Sequence, residues 1–368
     1  MMHIGVVREI KPAERRVALT PAGALELVRA GHAVTVEQEA GAASGFPDAA
    51  YVEAGARIEP EAAAIWAQSE LLLKVKEPIA PEFPHLREDL VLFAYLHLAP
   101  DPTLTEALIS SGITAIAYET VEDERGGLPL LAPMSEIAGR LATQAGAYYL
   151  QSPYGGNGTL IGGAPGVAPA RVLVIGGGAV GTHAARVAVG MGAEVTILER
   201  SIPRIRELEE LFAGRARVLM SDAYTLRDEL VVADLVVGAV LIPGARAPKL
   251  IARVDLRSMR EGSVIADVAI DQGGCVETSK PTTHENPTYV VDGVVHYCVA
   301  NMPGAVPATS TRALTNATLP YVRSLASGVD RALESDPLLA RGLNVRGGEI
   351  TYGPVAEAYA ARAAVSAA

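Results

Sequence analysis

Short apolar runs recur along the chain, and alanine-rich stretches with helical periodicity separate them. This alternation is typical of βα units that feed a parallel sheet, so it predicts an α/β fold. A helix is expected from Pro21 to Arg29, because Thr20 can cap its amino end and proline suits the first helical position. The strands predicted in this first third are Ile4 to Val7, Ala33 to Glu37, Leu71 to Val75, Leu90 to Tyr95 and Ile113 to Tyr118.

A second series of apolar runs begins near residue 171 and predicts a second doubly wound sheet. Between the two series we expect a connecting helix, Met134 to Leu150, and then a loop rich in glycine and proline, Pro153 to Pro169. Another helix is expected from Ser310 to Leu325. The strands predicted in the second series are Arg171 to Ile175, Glu194 to Leu198, Ala216 to Leu219, Leu235 to Ala239 and Ser263 to Val268.

The pattern as a whole predicts two Rossmann-like domains with a cleft between them. The chain has 368 residues, of which 49% are hydrophobic, and this is enough for two cores. The tail after residue 325 is too short for a domain of its own, so we expect it to return to the first domain. The first domain is therefore predicted as residues 1–130 and 306–368, and the second as residues 131–305.

Charge and cysteine content narrow the possible functions. Lysine and arginine number 31 against 42 aspartates and glutamates, a net charge of −11, so nucleic acids and anionic membranes are poor partners. The chain has only two cysteines, too few for a disulfide framework. No pair of cysteines or histidines has the spacing of metal ligands, so no metal site is predicted. No secretory pattern is visible, and the longest apolar run is about half the roughly 18 to 20 residues of a membrane span. A cytoplasmic protein is expected.

Residues 176–181 read GGGAVG and give the spacing G-x-G-x-x-G. Because they follow an apolar strand and open a helical stretch, these glycines can form a tight turn and admit a pyrophosphate. Glu199 ends the next strand, where it can accept hydrogen bonds from a ribose and favour NAD over NADP. Arg200 and Arg204 weaken that preference, since arginine can receive a 2′-phosphate. The alternative is a tight turn without a nucleotide.

Four polar residues follow the strands of the first predicted sheet: Arg16, Lys76, His97 and Glu119. Ligands of open α/β sheets bind beyond the carboxyl ends of strands, so these side chains are expected to converge. Histidine suits proton transfer near neutral pH, although His97 lies in an apolar run and can also be a hydrogen-bonded core residue. Arg16 and Lys76 can hold a carboxylate or carbonyl group, or be solvated surface charges.

Each of these two cations has a close rival in the sequence. Lys74 and Lys76 point to the same face of their strand, so periodicity does not separate them. Arg15 stands directly before Arg16 and has the same chemistry. From the residues alone, both pairs stay open.

In the second domain, Asp271 follows an apolar strand and opens a glycine-rich loop. It can face the ligand or only shape an Asx-turn, and Asp267 competes with it. The stretch from Cys298 to Pro303 ends this domain and can border the nicotinamide ring. Cys275 is expected to be structural, because no basic neighbour is evident that would lower its pKa.

These features occur together, in one order, in a known family. The stretches that carry the likeness are RVALTP (16–21), LKVKEP (73–78), LHLA (96–99), YET (118–120), PMSE (133–136), the glycine loop, AIDQGGC (269–275) and CVANMP (298–303). Over nearly its whole length the chain resembles the alanine dehydrogenases, whose superfamily also contains the nucleotide-binding subunit of proton-translocating transhydrogenase. The resemblance implies a homo-oligomer, expected to be a hexamer of two-domain subunits.

The resemblance also implies residue roles. Arg16 and Lys76 would bind the substrate, which favours them over their rivals, and His97 and Asp271 would transfer protons. The first domain would be the substrate and catalytic domain, and the second would bind NAD. Glu199 stands where the family usually has aspartate, and Lys280 where arginine is common. The residues expected to contact the cofactor are Ser135, Gly176, Gly178, Ala179, Val180, Gly181, Glu199, Arg204, Ser221, Val240, Leu241, Val268, Ala269, Ile270, Asp271, Lys280, Val299, Ala300, Asn301 and Met302.

The activity so implied is the reversible NAD-dependent oxidative deamination of L-alanine to pyruvate and ammonium. One alternative is an NAD(H)-binding subunit of a transhydrogenase-type complex, in which the pair His97 and Asp271 is not expected. Another is a dehydrogenase that makes a larger secondary amine, similar to the saccharopine or lysine-forming enzymes. A pure NAD-sensing module is the last, because fold alone does not fix function.

Overall fold

The computed structural model describes residues 1–124, 126–240 and 247–366. Contacts between Cα atoms divide the chain into two compact units, Met1–Pro133 with Val306–Ala368, and Met134–Ala305. Across the part of the chain that is described, no helix combines the length and apolar character needed to cross a membrane.

Strands and helices alternate along most of the chain, as the apolar pattern predicts. In the described residues the strands are β1 (His3–Val6), β2 (Ala33–Glu37), β3 (Arg57–Glu59), β4 (Leu71–Leu73), β5 (Val91–Ala94), β6 (Thr114–Ala117), β7 (Arg171–Ile175), β8 (Glu194–Glu199), β9 (Arg217–Met220), β10 (Leu235–Gly238), β11 (Val264–Asp267), β12 (Thr288–Val291), β13 (Val294–Tyr297), β14 (Leu343–Arg346) and β15 (Glu349–Ile350). The helices there are α1 (Pro21–Arg29), α2 (Asp48–Glu53), α3 (Ala62–Gln68), α4 (Pro102–Ser111), α5 (Ala132–Tyr149), α6 (Ala179–Gly190), α7 (Ile202–Phe212), α8 (Ala223–Val232), α9 (Arg253–Leu256), α10 (Pro307–Ala326), α11 (Val329–Ser335), α12 (Pro337–Ala340) and α13 (Gly353–Ser366).

The sheet of the first unit has the strand order β3-β2-β1-β4-β5-β6-β14-β15. Strands β1 to β6 pair in parallel, and β14 pairs antiparallel with β6. The three leucines of β4 are fully buried, as expected for a strand covered on both faces. Because β1 lies between β2 and β4, the winding direction reverses there, and ligands of such sheets bind outside the carboxyl ends of the strands at that point.

The sheet of the second unit repeats this plan with the order β9-β8-β7-β10-β11-β13-β12. Only β12, at the edge, is antiparallel among the described strands of this sheet. Here the reversal lies at β7, whose last residue, Ile175, is paired with Leu198 of β8 and Gly238 of β10. Both units are therefore doubly wound α/β sheets, which confirms the predicted fold class.

Local signals account for most element boundaries. Helix α1 spans the predicted range, and Thr20 Oγ1 accepts a hydrogen bond from the backbone N–H of Gly23 at 3.2 Å. The strands predicted from apolar runs lie within two residues of those observed. Edge strand β3 and the hairpins β12–β13 and β14–β15 were not predicted. Strands β3, β12 and β15 are partly solvated and carry no buried apolar run. Strands β13 and β14 contain buried residues, but His296 and Asn344 interrupt their apolar runs.

Candidate active site

Lys74 lies just beyond β4 in a buried cluster of charges in the first unit. Its ammonium Nζ is 2.7 Å from Glu82 Oε1 and 3.2 Å from Glu9 Oε2, and only 1% of the residue is exposed. Burial alone would lower the pKa of Lys74, but Glu9 and Glu82 outweigh it and raise that pKa. Lys74 is thus a structural charge held by two carboxylates.

Glu9 also fixes the backbone that leads to Lys76. Its Oε1 accepts hydrogen bonds from the backbone N–H groups of Val75 at 2.6 Å and Lys76 at 3.4 Å. Burial raises the pKa of Glu9, although Lys74 and the backbone contact with Val75 oppose the shift. Lys76 is half-buried at the carboxyl end of β4, the position expected of a ligand-binding residue. The structure therefore favours Lys76 over Lys74 for that role.

Arg16 is buried and held in a fixed plane by Glu14. Its Nε lies 2.7 Å from Glu14 Oε1 and its Nη2 lies 2.5 Å from Oε2, the fork geometry of an arginine–carboxylate pair. Burial lowers the pKa of Arg16, but Glu14 raises it by more, so the net direction is upward. Arg15 is exposed, with its carbonyl accepting a hydrogen bond from Ser44 Oγ at 3.0 Å. The surface-charge interpretation of Arg16 is wrong.

His97 is a partly exposed residue with an unusual backbone. Its side chain is 41% exposed, so it is not a core histidine. Its φ of 49° lies in the left-handed region, which non-glycine residues seldom adopt and which is enriched at functional sites. Glu119 holds this conformation, because its Oε1 accepts the backbone N–H of His97 at 2.6 Å and that of Leu96 at 3.1 Å.

The glycine loop of the second unit connects β7 to α6. Gly176 has a φ of 99°, and a Cβ on Gly181 would lie 1.8 Å from the carbonyl oxygen of Gly176, so neither position tolerates a side chain. A Cβ on Gly178 would meet no described atom within 4 Å, so it would fill the open cradle in front of the helix. Helix α6 begins at Ala179, which places its unpaired N–H groups at this cradle. A pyrophosphate fits these residues.

Glu199 ends β8 beside this loop. Its Oε2 accepts a hydrogen bond from the N–H of Gly177 at 2.8 Å, and its Oε1 accepts those of Arg200 at 2.7 Å and Ser201 at 2.9 Å. The carboxylate thus ties the glycine loop to the next βα turn, at the place where a ribose is expected.

Arg204 braces the same loop from the first turns of α7. Its Nε donates to the carbonyl of Gly177 at 2.9 Å, and its Nη2 donates to Thr182 Oγ1 at 2.9 Å. Its Nη1 lies 2.5 Å from a carboxylate oxygen of Glu207. These contacts engage all three guanidinium nitrogens, so Arg204 is poorly placed to receive a 2′-phosphate. Arg200 is exposed.

The two aspartates after β11 have different surroundings. Asp267 is fully buried and accepts hydrogen bonds from Ala269 N–H at 3.1 Å, Cys275 N–H at 2.9 Å and Ser279 Oγ at 2.6 Å. Asp271 is exposed within the short 3₁₀ turn Val268–Gln272. Asp267 therefore shapes the loop, and Asp271 is the aspartate that solvent or a ligand can reach. Burial and the neighbouring Asp267 raise the pKa of Cys275, which fits a structural thiol.

Sequence reasoning missed Lys249, which holds the loop that carries Asp271. Its Nζ donates to the carbonyls of Gly273 at 2.6 Å, Gly274 at 2.9 Å and Val276 at 3.0 Å. These partners lie more than twenty residues away, so no local pattern indicates the contact. Glu9 and Glu14 were missed too, although both acids occur in the segment that precedes Arg16.

Most of the predicted cofactor residues follow strands at the carboxyl edge of the second sheet. Ser135 lies half-buried in α5, and Lys280 is exposed, with its Nζ 4.5 Å from the ring centroid of Tyr289. Leu241 lies outside the described residues. Glu199 ends β8. The others lie in the segments after β7, β9, β10, β11 and β13: Gly176, Gly178, Ala179, Val180, Gly181, Ser221, Val240, Val268, Ala269, Ile270, Asp271, Val299, Ala300, Asn301 and Met302.

Two family models match the chain. The N-terminal domain of "Alanine dehydrogenase/PNT" matches residues 5–138, and the C-terminal domain of the same family matches residues 142–353. The chain belongs to the alanine dehydrogenase/PNT family. The predicted resemblance is confirmed.

Individual members of this family are similar over almost their full length. The alanine dehydrogenase of Halomonas elongata is 59% identical over 359 residues, 97% of each chain, and that of Methanococcus maripaludis is 52% identical over 360 residues, 97% of this chain and 96% of the relative. A solved structure titled L-alanine dehydrogenase is 51% identical, with a TM-score of 0.95 over 98% of this chain and 99% of the other. The transhydrogenase of Sinorhizobium meliloti is 25% identical, with a TM-score of 0.81 over 95% and 100%.

Proposed function

We propose that the protein catalyses the reversible oxidative deamination of L-alanine, in which L-alanine, NAD⁺ and water give pyruvate, ammonium, NADH and a proton. The observation that carries this proposal is the 59% identity, over 97% of each chain, to a protein named alanine dehydrogenase. The geometry supports it, because a buried oriented arginine, a half-buried lysine and a partly exposed histidine all follow strands of the first sheet.

The two domains divide the work. Residues 1–130 and 306–368 form the substrate and catalytic domain, and residues 131–305 form the NAD-binding domain. The division into two compact units and the position of the glycine loop support these roles.

Arg16 and Lys76 bind the amino acid. Glu14 fixes the guanidinium plane of Arg16, so the bidentate geometry that suits a carboxylate is formed before the substrate binds. Lys76 donates a hydrogen bond to the carboxylate or to the reacting carbonyl group. Together they fix the orientation of the α-carbon.

His97 and Asp271 manage the protons. When bound, NAD⁺ would supply the acceptor for the hydride of the α-carbon. His97 acts as general base, and in the reverse direction as general acid, for the water that converts the resulting iminium to pyruvate and ammonium. Asp271 orients the cationic amine and stabilises its charge.

The cofactor is NAD rather than NADP. The glycine loop and the first turn of α6 would hold the pyrophosphate, and Glu199 would face the ribose hydroxyls and repel a 2′-phosphate. The contacts of Arg204 with Gly177, Thr182 and Glu207 support this preference, since they engage the cation that would otherwise favour NADP.

We further propose a cytoplasmic homohexamer, as the family resemblance implies. The second unit exposes large apolar side chains on and after α5, among them Tyr148 at 44%, Tyr154 at 42% and Leu160 at 66%. Exposed apolar surface of this kind supports association between subunits. Light scattering on the purified protein tests the subunit number.

One experiment separates this function from the alternatives. Purified protein is mixed with NAD⁺ and L-alanine, and reduced nicotinamide is followed by its absorbance, with L-lysine and D-alanine as parallel substrates. Reduction that needs L-alanine supports the proposal. If no substrate gives reduction but NADH binds clearly, the alternative is supported, an NAD(H)-binding subunit of a transhydrogenase-type complex. The structural similarity to the S. meliloti transhydrogenase is the observation that favours this alternative.

A further inference from the structure

We propose that Glu77 is the positioning residue of His97, and that it determines which imidazole nitrogen carries the proton. This inference rests on the proposed function, because it takes His97 as the acid–base group. Glu77 lies in the stretch LKVKEP (73–78), but neither the sequence pattern nor the family resemblance assigned it a role.

The side chains of Glu77 and His97 lie next to each other. Glu77 Oε2 lies 3.5 Å from His97 Nδ1, and the Glu77 side chain is 12% exposed. In the described part of the chain, this buried oxygen accepts no hydrogen bond. Catalytic hydrogen bonds are often long without substrate and shorten when it binds, so the imidazole is the natural partner of Oε2.

The other carboxylate oxygen has a different partner. Glu77 Oε1 forms an ion pair with Lys11 Nζ. An ammonium group has three hydrogen-bond donors and no acceptor, so Lys11 needs an acceptor atom, which the side chain of residue 77 offers only through an oxygen. Lys11 therefore fixes which way the Glu77 carboxylate faces and leaves Oε2 directed toward His97.

Glu77 is ionised in this setting. Burial raises its pKa, but His97, Lys76 and Lys11 together outweigh burial and hold the pKa of Glu77 well below its ordinary value. An anionic oxygen accepts a hydrogen bond and cannot donate one. The proton of neutral His97 therefore sits on Nδ1, and Nε2 is the nitrogen that takes and returns the proton of the reacting water.

The remaining groups around His97 act on other parts of the residue. Both oxygens of Glu119 accept backbone N–H groups, at 2.6 Å from His97 and at 3.1 and 3.2 Å from Leu96. The ring of Tyr95 lies 5.9 Å from the imidazole centroid at an angle of 38°, and its hydroxyl donates to the carbonyl of Leu130. Glu119 thus sets the backbone of His97, and Glu77 sets its ring.

Glu77→Gln is the decisive variant, because Lys11 dictates how the new amide is oriented. The amide oxygen has to face Lys11, which only donates, and the amide NH₂ then faces His97 Nδ1. Nδ1 becomes an acceptor, so the neutral imidazole carries its proton on Nε2 and cannot accept one there. The same carboxylate-to-amide change in a Ser–His–Asp triad lowers kcat by about 10⁴-fold through the wrong tautomer.

We expect Glu77→Gln to lower kcat by about 10²- to 10⁴-fold, the usual contribution of a general acid–base group. The KM for L-alanine and the affinity for NADH should stay within about 3-fold, because Arg16, Lys76 and the nucleotide residues are unchanged. Adding Lys11→Met to Glu77→Gln frees the amide to turn its oxygen to His97, so the double variant should recover at least tenfold of the lost kcat. The control is Glu26→Gln, which should keep wild-type kcat. Glu26 is an exposed carboxylate that pairs with Arg323 at 3.3 Å.

A readout that does not need activity is the tautomer itself. Nitrogen-15 NMR of histidine-labelled enzyme at alkaline pH distinguishes a protonated Nδ1 from a protonated Nε2, and the His97 signal is assigned by its loss in His97→Gln. The wild type should show protonated Nδ1, and Glu77→Gln should show protonated Nε2. A wild-type His97 protonated on Nε2 overturns the proposal, and so does a Glu77→Gln enzyme with wild-type kcat.

Different results would disprove the proposed function and the role of Glu77. If the wild type does not reduce NAD⁺ with L-alanine, the proposed function is wrong, whatever the NMR spectrum shows. If the wild type is active and His97→Gln is not, yet Glu77→Gln keeps wild-type kcat or the wild-type tautomer, the role given to Glu77 is wrong and the function stands.

Discussion

Replacing Lys74 and Lys76 by methionine, one at a time, tests how the first domain uses the two lysines that follow β4. Methionine keeps the length of the lysine side chain and removes its charge. In Lys74→Met the carboxylates of Glu9 and Glu82 lose the cation that lies 3.2 and 2.7 Å from them. Lys76 is half-buried, so Lys76→Met removes a charge that solvent partly screens.

The magnitudes follow from burial. Removing one partner of a buried ion pair costs about 3–5 kcal/mol, because the other charge stays buried without compensation. For a folding unit of 150–250 residues, about 2–4 °C of melting temperature corresponds to each kcal/mol, so Lys74→Met should melt about 6–20 °C below the wild type. Lys76→Met should melt within a few degrees of it. A hydrogen bond to a charged group contributes about 1.5–3 kcal/mol, so Lys76→Met should lose about 10- to 150-fold in kcat/KM for L-alanine.

The assay combines thermal unfolding at pH 7 with kinetics at saturating NAD⁺. Activity of Lys74→Met is measured well below its own melting temperature, so that unfolding does not enter the rate. The reasoning is refuted if Lys74→Met melts with the wild type, or if Lys76→Met is the variant that unfolds early while keeping its kcat/KM.

Three further predictions concern the second domain and acid stability. Gly178→Ala should keep the wild-type melting temperature and weaken NADH binding at least tenfold. Gly181→Ala should lower the melting temperature, because its Cβ would lie 1.8 Å from a carbonyl oxygen. If Gly178→Ala bound NADH as tightly as the wild type, the pyrophosphate site would be contradicted. Asp267→Asn should lower the melting temperature, and Asp271→Asn should lower kcat at unchanged stability; exchanged phenotypes would reverse their roles. The folded state holds the pKa of Glu77 below its ordinary value of 4.5, so ionised Glu77 stabilises the fold above about pH 4.5, and this contribution is lost as the pH falls further. The melting temperature of Glu77→Gln should therefore decline less steeply below pH 4.5 than that of the wild type. A parallel decline in both proteins would contradict this.

Local chemistry made the elements near the site predictable. Thr20 and Pro21 mark the start of a helix, and the glycine spacing at 176–181 marks the turn before α6. Each signal lies within a few residues of the feature it predicts. Buried parallel strands were found for the same reason, since their apolar runs are continuous in sequence.

The choice between neighbouring charges was not predictable in this way. Lys74 is structural because Glu9, 65 residues earlier, and Glu82 hold its ammonium. Arg204 braces the glycine loop through Gly177, 27 residues before it. Folding brings such distant partners together, so the sequence alone does not indicate these contacts. The family resemblance supplied the choice of Lys76, and the structure adds the physical reason for it.

The most direct test of the account is NAD⁺ reduction by the purified protein, with L-alanine as substrate and NADP⁺ in place of NAD⁺ as the matched control. We expect reduction that requires L-alanine, is much faster with NAD⁺ than with NADP⁺, and reverses when pyruvate, ammonium and NADH are supplied. No L-alanine-dependent reduction by a folded protein that binds NADH would contradict it.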